Sequence, residues 1–302
     1  KDALVPDVVP ERLLVIGSGA IGIEFASFFH TLGSKTTVVE MVDRIVPAED
    51  AEISAFLLKS LTKDGMEILT SAGVKALKKG KDTVTATLEV GGKTEEREFD
   101  RVIVAAGIVG NVENLGLEGT KVKVDRTHIV TNEWLETGEP GVYAIGDVAG
   151  APWLAHKASH EGVLCVEKIA GAKGLHPINN DRIPGCTYCR PQIASVGLTE
   201  DQAKERGLKV KVGRFPFQGN GKAIALGEPE GLIKVLFDDK TGELIGAHMI
   251  GAEVTELIQG YGIAMELETT ESELMHTVFA HPTLSEMMHE SVLDAFGRAV
   301  HF

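Results

Sequence analysis

The chain has 302 residues, 43% hydrophobic and 25% charged, with 30 basic against 44 acidic side chains and a formal net charge of −14. That length exceeds what one core ordinarily organises and predicts two or more domains. The balance excludes long disorder and collagen-like repeats, the acidic excess argues against capture of nucleic acid or an anionic membrane surface, and three cysteines make no disulfide scaffold.

No stretch of about 18 apolar residues is present, so no membrane-spanning helix is predicted. The N-terminus lacks the layout of a signal peptide and does not begin with Met, which reads as a processed or truncated piece. The sparse cysteines fit a reducing compartment, the cytoplasm or, in a eukaryote, the mitochondrial matrix.

In chain order, RLLVIG (12–17) reads as a short apolar strand ending at a glycine turn. Ile21, Phe25, Phe28, Phe29 and Leu32 then recur at helical spacing, with Gly33 as a stop. KTTVVE (35–40) is a β-branched strand, and 50–65 an amphipathic helix. Short strands follow from 66, with a Gly-Gly turn at 91–92, and EFDRVIVAAG (98–107) is a buried-strand run. Residues 12–107 therefore predict an α/β unit with parallel strands. VYAIGD (142–147) reads as a further strand, followed by a loop and a helix of about five turns up to Gly171. Residues 172–185 are rich in Gly, Pro and Asn and mark a domain boundary. Beyond them four strands (QIASVG, KVKVGRFPF, GLIKVLFD, ELIGAHMIG) and helices over 253–268 and 284–297 make an α+β pattern.

Gly17-Ser18-Gly19-Ala20-Ile21-Gly22 fits G-x-G-x-x-G between a strand and a helix, and Glu40 ends the next strand. Gly17 permits the tight turn, Gly19 lets a pyrophosphate approach the backbone, and Gly22 lets helix and strand pack closely. The helix N-terminus offers N–H groups to phosphate. Glu40 would accept from ribose hydroxyls and repel a 2′-phosphate, which favours NAD over NADP. Glu24 either serves this site or complements the helix dipole from the first turn.

Asp147, at the end of a strand and after a glycine, stands where α/β sheets bind ligands, and could accept from a polyol; a turn or cap role is the alternative. Leu154, Ala155 and His156 open the next helix. Near the end, Pro282 favours a helix start, and Thr283 with Glu286 fits a capping box. Against that, His281 reads as a general acid–base oriented by Glu286. Cys186 and Cys189 make C-x-x-C, but no second pair completes a zinc site and no helix follows as in thioredoxin-like motifs, so no metal is expected.

The glycine loop with Glu40, VAAG (104–107), PGVYAIGD with LAHKA, and HPTLSE occur in this order. Together they resemble the pyridine nucleotide–disulfide oxidoreductases over essentially the whole chain. The resemblance implies a Rossmann-type NAD-binding domain (1–126), the remainder of an FAD-binding central domain (127–178) and an α+β dimerisation domain (179–302). It places Gly17 to Gly22, Glu24, Glu40, Val74 and Gly107 at NAD, Asp147 on the flavin ribityl chain, and the backbone of Trp153, Leu154, Ala155 and His156 against the flavin ring. It gives His281 and Glu286 the deprotonation of a dithiol substrate across a homodimer, the substrate being the dihydrolipoyl groups of 2-oxo acid dehydrogenase complexes. The family's first FAD-binding segment and its C-x-x-x-x-C pair are not in this sequence, so the chain reads as the C-terminal part of a longer protein and is expected to be inactive by itself. Two alternatives are a non-catalytic NAD-binding, dimerising module and another NAD-linked flavin disulfide reductase.

Overall fold

The computed structural model describes residues 3–302. The first segment carries β1 (Arg12–Ile16), α1 (Ala20–Thr31), β2 (Lys35–Val39), α2 (Ala51–Lys63), β3 (Glu67–Leu69), β4 (Ala72–Lys79), β5 (Val84–Val90), β6 (Lys93–Phe99) and β7 (Arg101–Val104). A middle segment carries β8 (Val124–Asp125), β9 (His128–Ile129), a 3-10 turn at Gly146–Ala149, α3 (Ala155–Ile169) and a second 3-10 turn at Asn180–Arg182. The last segment carries β10 (Gly185–Thr187), β11 (Gln192–Gly197), α4 (Glu200–Glu205), β12 (Val210–Pro216), α5 (Gly221–Leu226), β13 (Leu232–Asp238), β14 (Leu244–Gly251), α6 (Val254–Glu266), α7 (Glu271–His276) and α8 (Glu286–Ala295). Residues 3–106 and 184–302 form one compact unit and 107–183 a second.

In the larger unit, β3-β2-β1-β7 make a parallel sheet, with Leu14 opposite Thr37 on one side and Val102 on the other. Parallel neighbours need a crossover, and α1 supplies it between β1 and β2. Leu13 and Val15 point to one face, where Ile23, Ala26 and Phe29 of α1 and Ile53, Leu57 and Leu61 of α2 cover them. Leu14 points to the other, against Ala86, Leu88 and Phe99 of the β4-β5-β6 meander. The five-stranded antiparallel sheet β10-β11-β14-β13-β12 packs α6 and α8 through Tyr261, Met287 and Val292. Ile193 and Ile250 of that sheet join the core of the parallel sheet, so the two layers share apolar packing. Each fully buried side chain of that size contributes about 1.5–3 kcal/mol.

The smaller unit has a two-stranded ribbon, two 3-10 turns and α3. VYAIGD is not a strand. Tyr143 makes one bridge to Glu136, and Gly146 starts the 3-10 turn instead. The sequence boundary at 126 also differs from the compact division at 106: residues after Ala106 have no ladder with the parallel sheet.

Candidate functional site

The glycine loop follows directly from β1. Gly17 has φ +97°, and a Cβ there would lie 2.5 Å from the Ala105 carbonyl oxygen, so only glycine fits. Its N–H donates to Val39 O at 2.9 Å, tying the loop to β2. Gly19 is the N-cap of α1 and supplies no side-chain cap. The first-turn N–H groups of a helix lack intrahelical partners, and here they lie behind a position where a Cβ would meet nothing within 4 Å. A Cβ on Gly22 would collide with the Gly17 carbonyl. Thus Gly17 and Gly22 shape the loop, and Gly19 leaves open space before the helix end. Ala20 and Ile21 are exposed on its first turn, and Ser18 is fully buried.

Glu40 stands beside that opening. Its Oε2 accepts from the Ser18 N–H at 2.8 Å and the Ser18 hydroxyl at 2.7 Å, and Oε1 accepts from Val42 N–H at 3.0 Å. Partial burial would raise its pKa, but the bonds from Val42 and Ser18 outweigh that and hold it below the usual carboxylate range. An ionised acceptor beside the open side of the glycine loop fits a dinucleotide with a free ribose diol.

The other residues assigned to this site stand on separate elements. Val74, opposite Leu88 on β4, packs half-buried against the meander core. Gly107 is exposed with φ +125° at the start of the smaller unit. Glu24 lies on the second turn of α1, not the first, and its Oε1 accepts from Tyr188 N–H at 2.8 Å. The dipole role expected of a first-turn acid therefore gives way to a tie between α1 and the loop after β10.

In the smaller unit, Asp147 is exposed on the 3-10 turn. Leu154 is the N-cap of α3, and Ala155 and His156 are exposed on its first turn, which no side chain caps. Trp153 donates its indole N–H to His128 Nε2 at 3.1 Å, and Thr127 Oγ1 lies 3.2 Å from His128 Nδ1. An exposed carboxylate near an uncapped helix end suits the hydroxyl-rich chain and electron-rich ring of a flavin.

His281 Nδ1 lies 2.9 Å from Glu286 Oε1, with the histidine side chain 80% exposed. Glu286 Oε2 accepts from Thr283 N–H at 2.9 Å. That bond first, and His281 second, hold the Glu286 pKa below its usual value against slight desolvation. Only half of the capping box forms: Thr283 Oγ1 donates to Ala280 O, and the helix starts later, at Glu286 with Ser285 as N-cap. Met287 and Met288 anchor that helix end in the core, which fixes the carboxylate and through it the ring. A proton on Nδ1 facing Glu286 leaves Nε2 as the basic nitrogen, open to solvent.

The three cysteines are free. Burial pushes the Cys189 thiol up to about 12, and it raises Cys186 and Cys165 as well. None is a reactive thiolate near neutral pH. Among the described residues no group of three or more His, Cys, Asp or Glu side chains could hold a metal ion.

Residues 1–162 match the family profile for the pyridine nucleotide-disulphide oxidoreductases, and residues 183–292 the profile for their dimerisation domain. The chain belongs to the pyridine nucleotide-disulphide oxidoreductase family. Among curated proteins it is similar to the dihydrolipoyl dehydrogenase of Rhizobium etli, 59% identical over 99% of this chain and 62% of that one. The dihydrolipoyl dehydrogenase of Zymomonas mobilis is 55% identical over 99% of this chain and 65% of that one. The chain thus spans less than two thirds of these relatives' length. Among solved structures it is similar to LpdA from Mycobacterium tuberculosis, with TM-score 0.88 and 27% identity over 95% of this chain and 62% of that one. The HOCl-induced flavoprotein disulfide reductase RclA from Escherichia coli gives TM-score 0.86 and 25% identity over 96% and 66%.

Proposed function

We propose that the protein to which these residues belong oxidises dihydrolipoyl groups with NAD+, using FAD and a redox disulfide, and acts as a homodimer on the lipoyl groups of 2-oxo acid dehydrogenase complexes. The observation that carries this reading is the His281–Glu286 pair, a solvent-facing imidazole whose Nδ1 is held by a carboxylate within the dimerisation domain, leaving Nε2 for the substrate. Such a base takes a proton from a substrate thiol, and the resulting thiolate is the nucleophile in exchange with a disulfide. Glu286 stabilises the imidazolium that forms. Bound flavin supplies two-electron transfer between dithiol and nicotinamide. Gly17 to Gly22 and Glu40 would hold NAD, with Glu24, Val74 and Gly107 around it. Asp147 and residues 153–156 would hold FAD. None of Cys165, Cys186 and Cys189 stands in the C-x-x-x-x-C spacing of the family's redox pair, so these 302 residues alone would bind dinucleotide without turnover. The free cysteines are consistent with a cytoplasmic or mitochondrial-matrix protein.

The test uses the full-length protein. His281→Gln should lower dihydrolipoamide oxidation by about 100-fold or more while NADH binding persists. Glu286→Gln should lower it less, because the ring keeps a hydrogen-bond partner while the imidazolium loses its anionic one. Unchanged turnover in His281→Gln would remove the base from this reading.

A further inference from the structure

One ion pair of the 107–183 unit has no part in the reading above. Lys157 and Glu161 stand one turn apart on α3. From sequence, an i, i+4 pair of this kind reads as a solvated surface pair of small consequence. Here the two side chains are only 4% and 8% exposed, and Lys157 Nζ lies 2.8 Å from Glu161 Oε1. Each also bonds the loop that carries Asp147. Gly146 N–H donates to Glu161 Oε2 at 2.7 Å, and Lys157 Nζ donates to the Gly150 carbonyl at 2.9 Å.

Gly146 opens the 3-10 turn and Gly150 closes it, with Asp147 between them. A continuous line therefore runs from the Gly146 N–H through Glu161 and Lys157 to the Gly150 carbonyl. It clamps both ends of a five-residue loop to one turn of helix. A side chain at the start of the loop would be crowded by α3. Gly146 has φ +71°, and a Cβ there would press to 3.2 Å from the Ala158 Cβ. Stability alone is a weak reason to bury two charges, since apolar side chains of similar volume often serve as well. Apolar side chains could not bond a backbone donor and a backbone acceptor together.

We propose that Lys157 and Glu161 are positioning residues for Asp147, setting the 146–150 backbone so that the Asp147 carboxylate meets the ribityl hydroxyls of a flavin. The proposal rests on the flavin reading of Asp147.

The test is made on full-length protein stripped of flavin. It measures FAD affinity by fluorescence titration and backbone amide exchange at 146–150, in Lys157→Met, in Glu161→Gln and in Leu164→Ala. Leu164 is buried on the same helix and makes no hydrogen bond to the loop through its side chain. Lys157→Met should weaken FAD binding about tenfold or more and speed exchange at 146–150, because a buried anion loses its cation and a carbonyl its donor. Glu161→Gln should do less, since its amide oxygen still accepts from Gly146. Leu164→Ala should lower the unfolding midpoint and leave FAD affinity and loop exchange near wild type. If Lys157→Met fails to fold, Glu161→Gln carries the comparison. Affinity and exchange in the pair variants equal to wild type, or lost no further than in Leu164→Ala at matched stability, would overturn the positioning role. Wild-type protein that takes up no FAD would instead overturn the flavin reading, and the proposal with it.

Discussion

Lys234 and Asp50 bury opposite charges against each other, with Nζ 2.9 and 3.0 Å from the two carboxylate oxygens and the side chains 3% and 2% exposed. Asp50 is the N-cap of α2, and Lys234 stands on β13, so the pair ties the parallel-sheet layer to the antiparallel sheet. Glu200 and Glu52 lie 2.8 and 3.3 Å from the same ammonium. Replacing Lys234 by Met leaves the Asp50 carboxylate buried without its cation. The expected cost is about 3–5 kcal/mol of unfolding free energy, read by chemical denaturation. Asp50→Asn in the Lys234→Met background should recover part of that loss, because the asparagine keeps a cap oxygen and carries no charge. A double variant no more stable than Lys234→Met would show that charge burial is not the cause.

His248 gives the same region a pH dependence. Its Nε2 donates to Leu198 O at 2.9 Å, and its buried Nδ1 has no hydrogen-bond partner. Burial first, and Lys234 second, hold its pKa below the ordinary histidine value, while the Leu198 carbonyl and Asp50 oppose them. The unfolded chain takes up a proton near pH 6.5, about the free histidine value, and the folded chain does so only at lower pH. Stability is therefore complete above that value and falls as pH drops below it. Glu49 acts with the opposite sign. Burial raises its pKa, with Asp50 adding to the rise and Ser195 opposing it, so its contribution is present at low pH and fades as pH rises through the folded value. His248→Gln should flatten the loss of stability as pH falls below about 6.5, and Glu49→Gln should steepen it. Denaturation midpoints at several pH values, identical in slope for all three proteins, would remove both groups from the account.

The role proposed for Glu40 sets an expectation for cofactor choice. Its carboxylate is ionised and bound to Ser18 at the rim of the glycine loop. Glu40→Arg should weaken NAD+ binding by about tenfold and strengthen NADP+ binding, since the guanidinium donates to a 2′-phosphate and no longer accepts from a ribose diol. Calorimetric titration with both nucleotides checks this, and equal affinities in the wild type would count against the role given to Glu40.

Much of this architecture is legible from residue order. RLLVI, KTTVV, QIASVG and LIKVLFD are strands within a residue or so of where their β-branched runs end, because those runs meet cores on one or both faces. The glycine spacing likewise places the turn after β1, since Gly17 and Gly22 each answer a nearby backbone group while Gly19 faces open space. VYAIGD misleads because an apolar run carries no information on whether a partner strand lies beside it. Lys157, Glu161, Lys234 and Asp50 are the larger omission. Charged residues at ordinary spacing read as surface, and only the folded chain shows which are enclosed. Thr283 illustrates a finer failure: the T-x-x-E pattern is real, but its hydroxyl is taken by Ala280, and Glu286 divides its oxygens between Thr283 and His281.

Gly19 and Gly22 separate binding from folding within one loop. A methyl on Gly19 enters open space in front of α1, where the protein has no atom within 4 Å. Gly19→Ala should therefore leave the unfolding free energy within about 1 kcal/mol of wild type, the usual difference between glycine and alanine. NAD+ affinity should nevertheless fall by about tenfold or more, because the methyl occupies the approach of the pyrophosphate to the helix end. A methyl on Gly22 instead strikes the Gly17 carbonyl and must push α1 away from β1. Gly22→Ala should cost about 1–3 kcal/mol of stability as an overpacked contact. Its affinity loss should follow from the displaced helix, and the denaturation curve should report it as clearly as the titration does. The two variants are compared by thermal unfolding and by NAD+ titration on the same preparations. Gly19→Ala that binds NAD+ like wild type would mean that no phosphate passes over that position, and the nucleotide site would then have to lie elsewhere than at the end of β1.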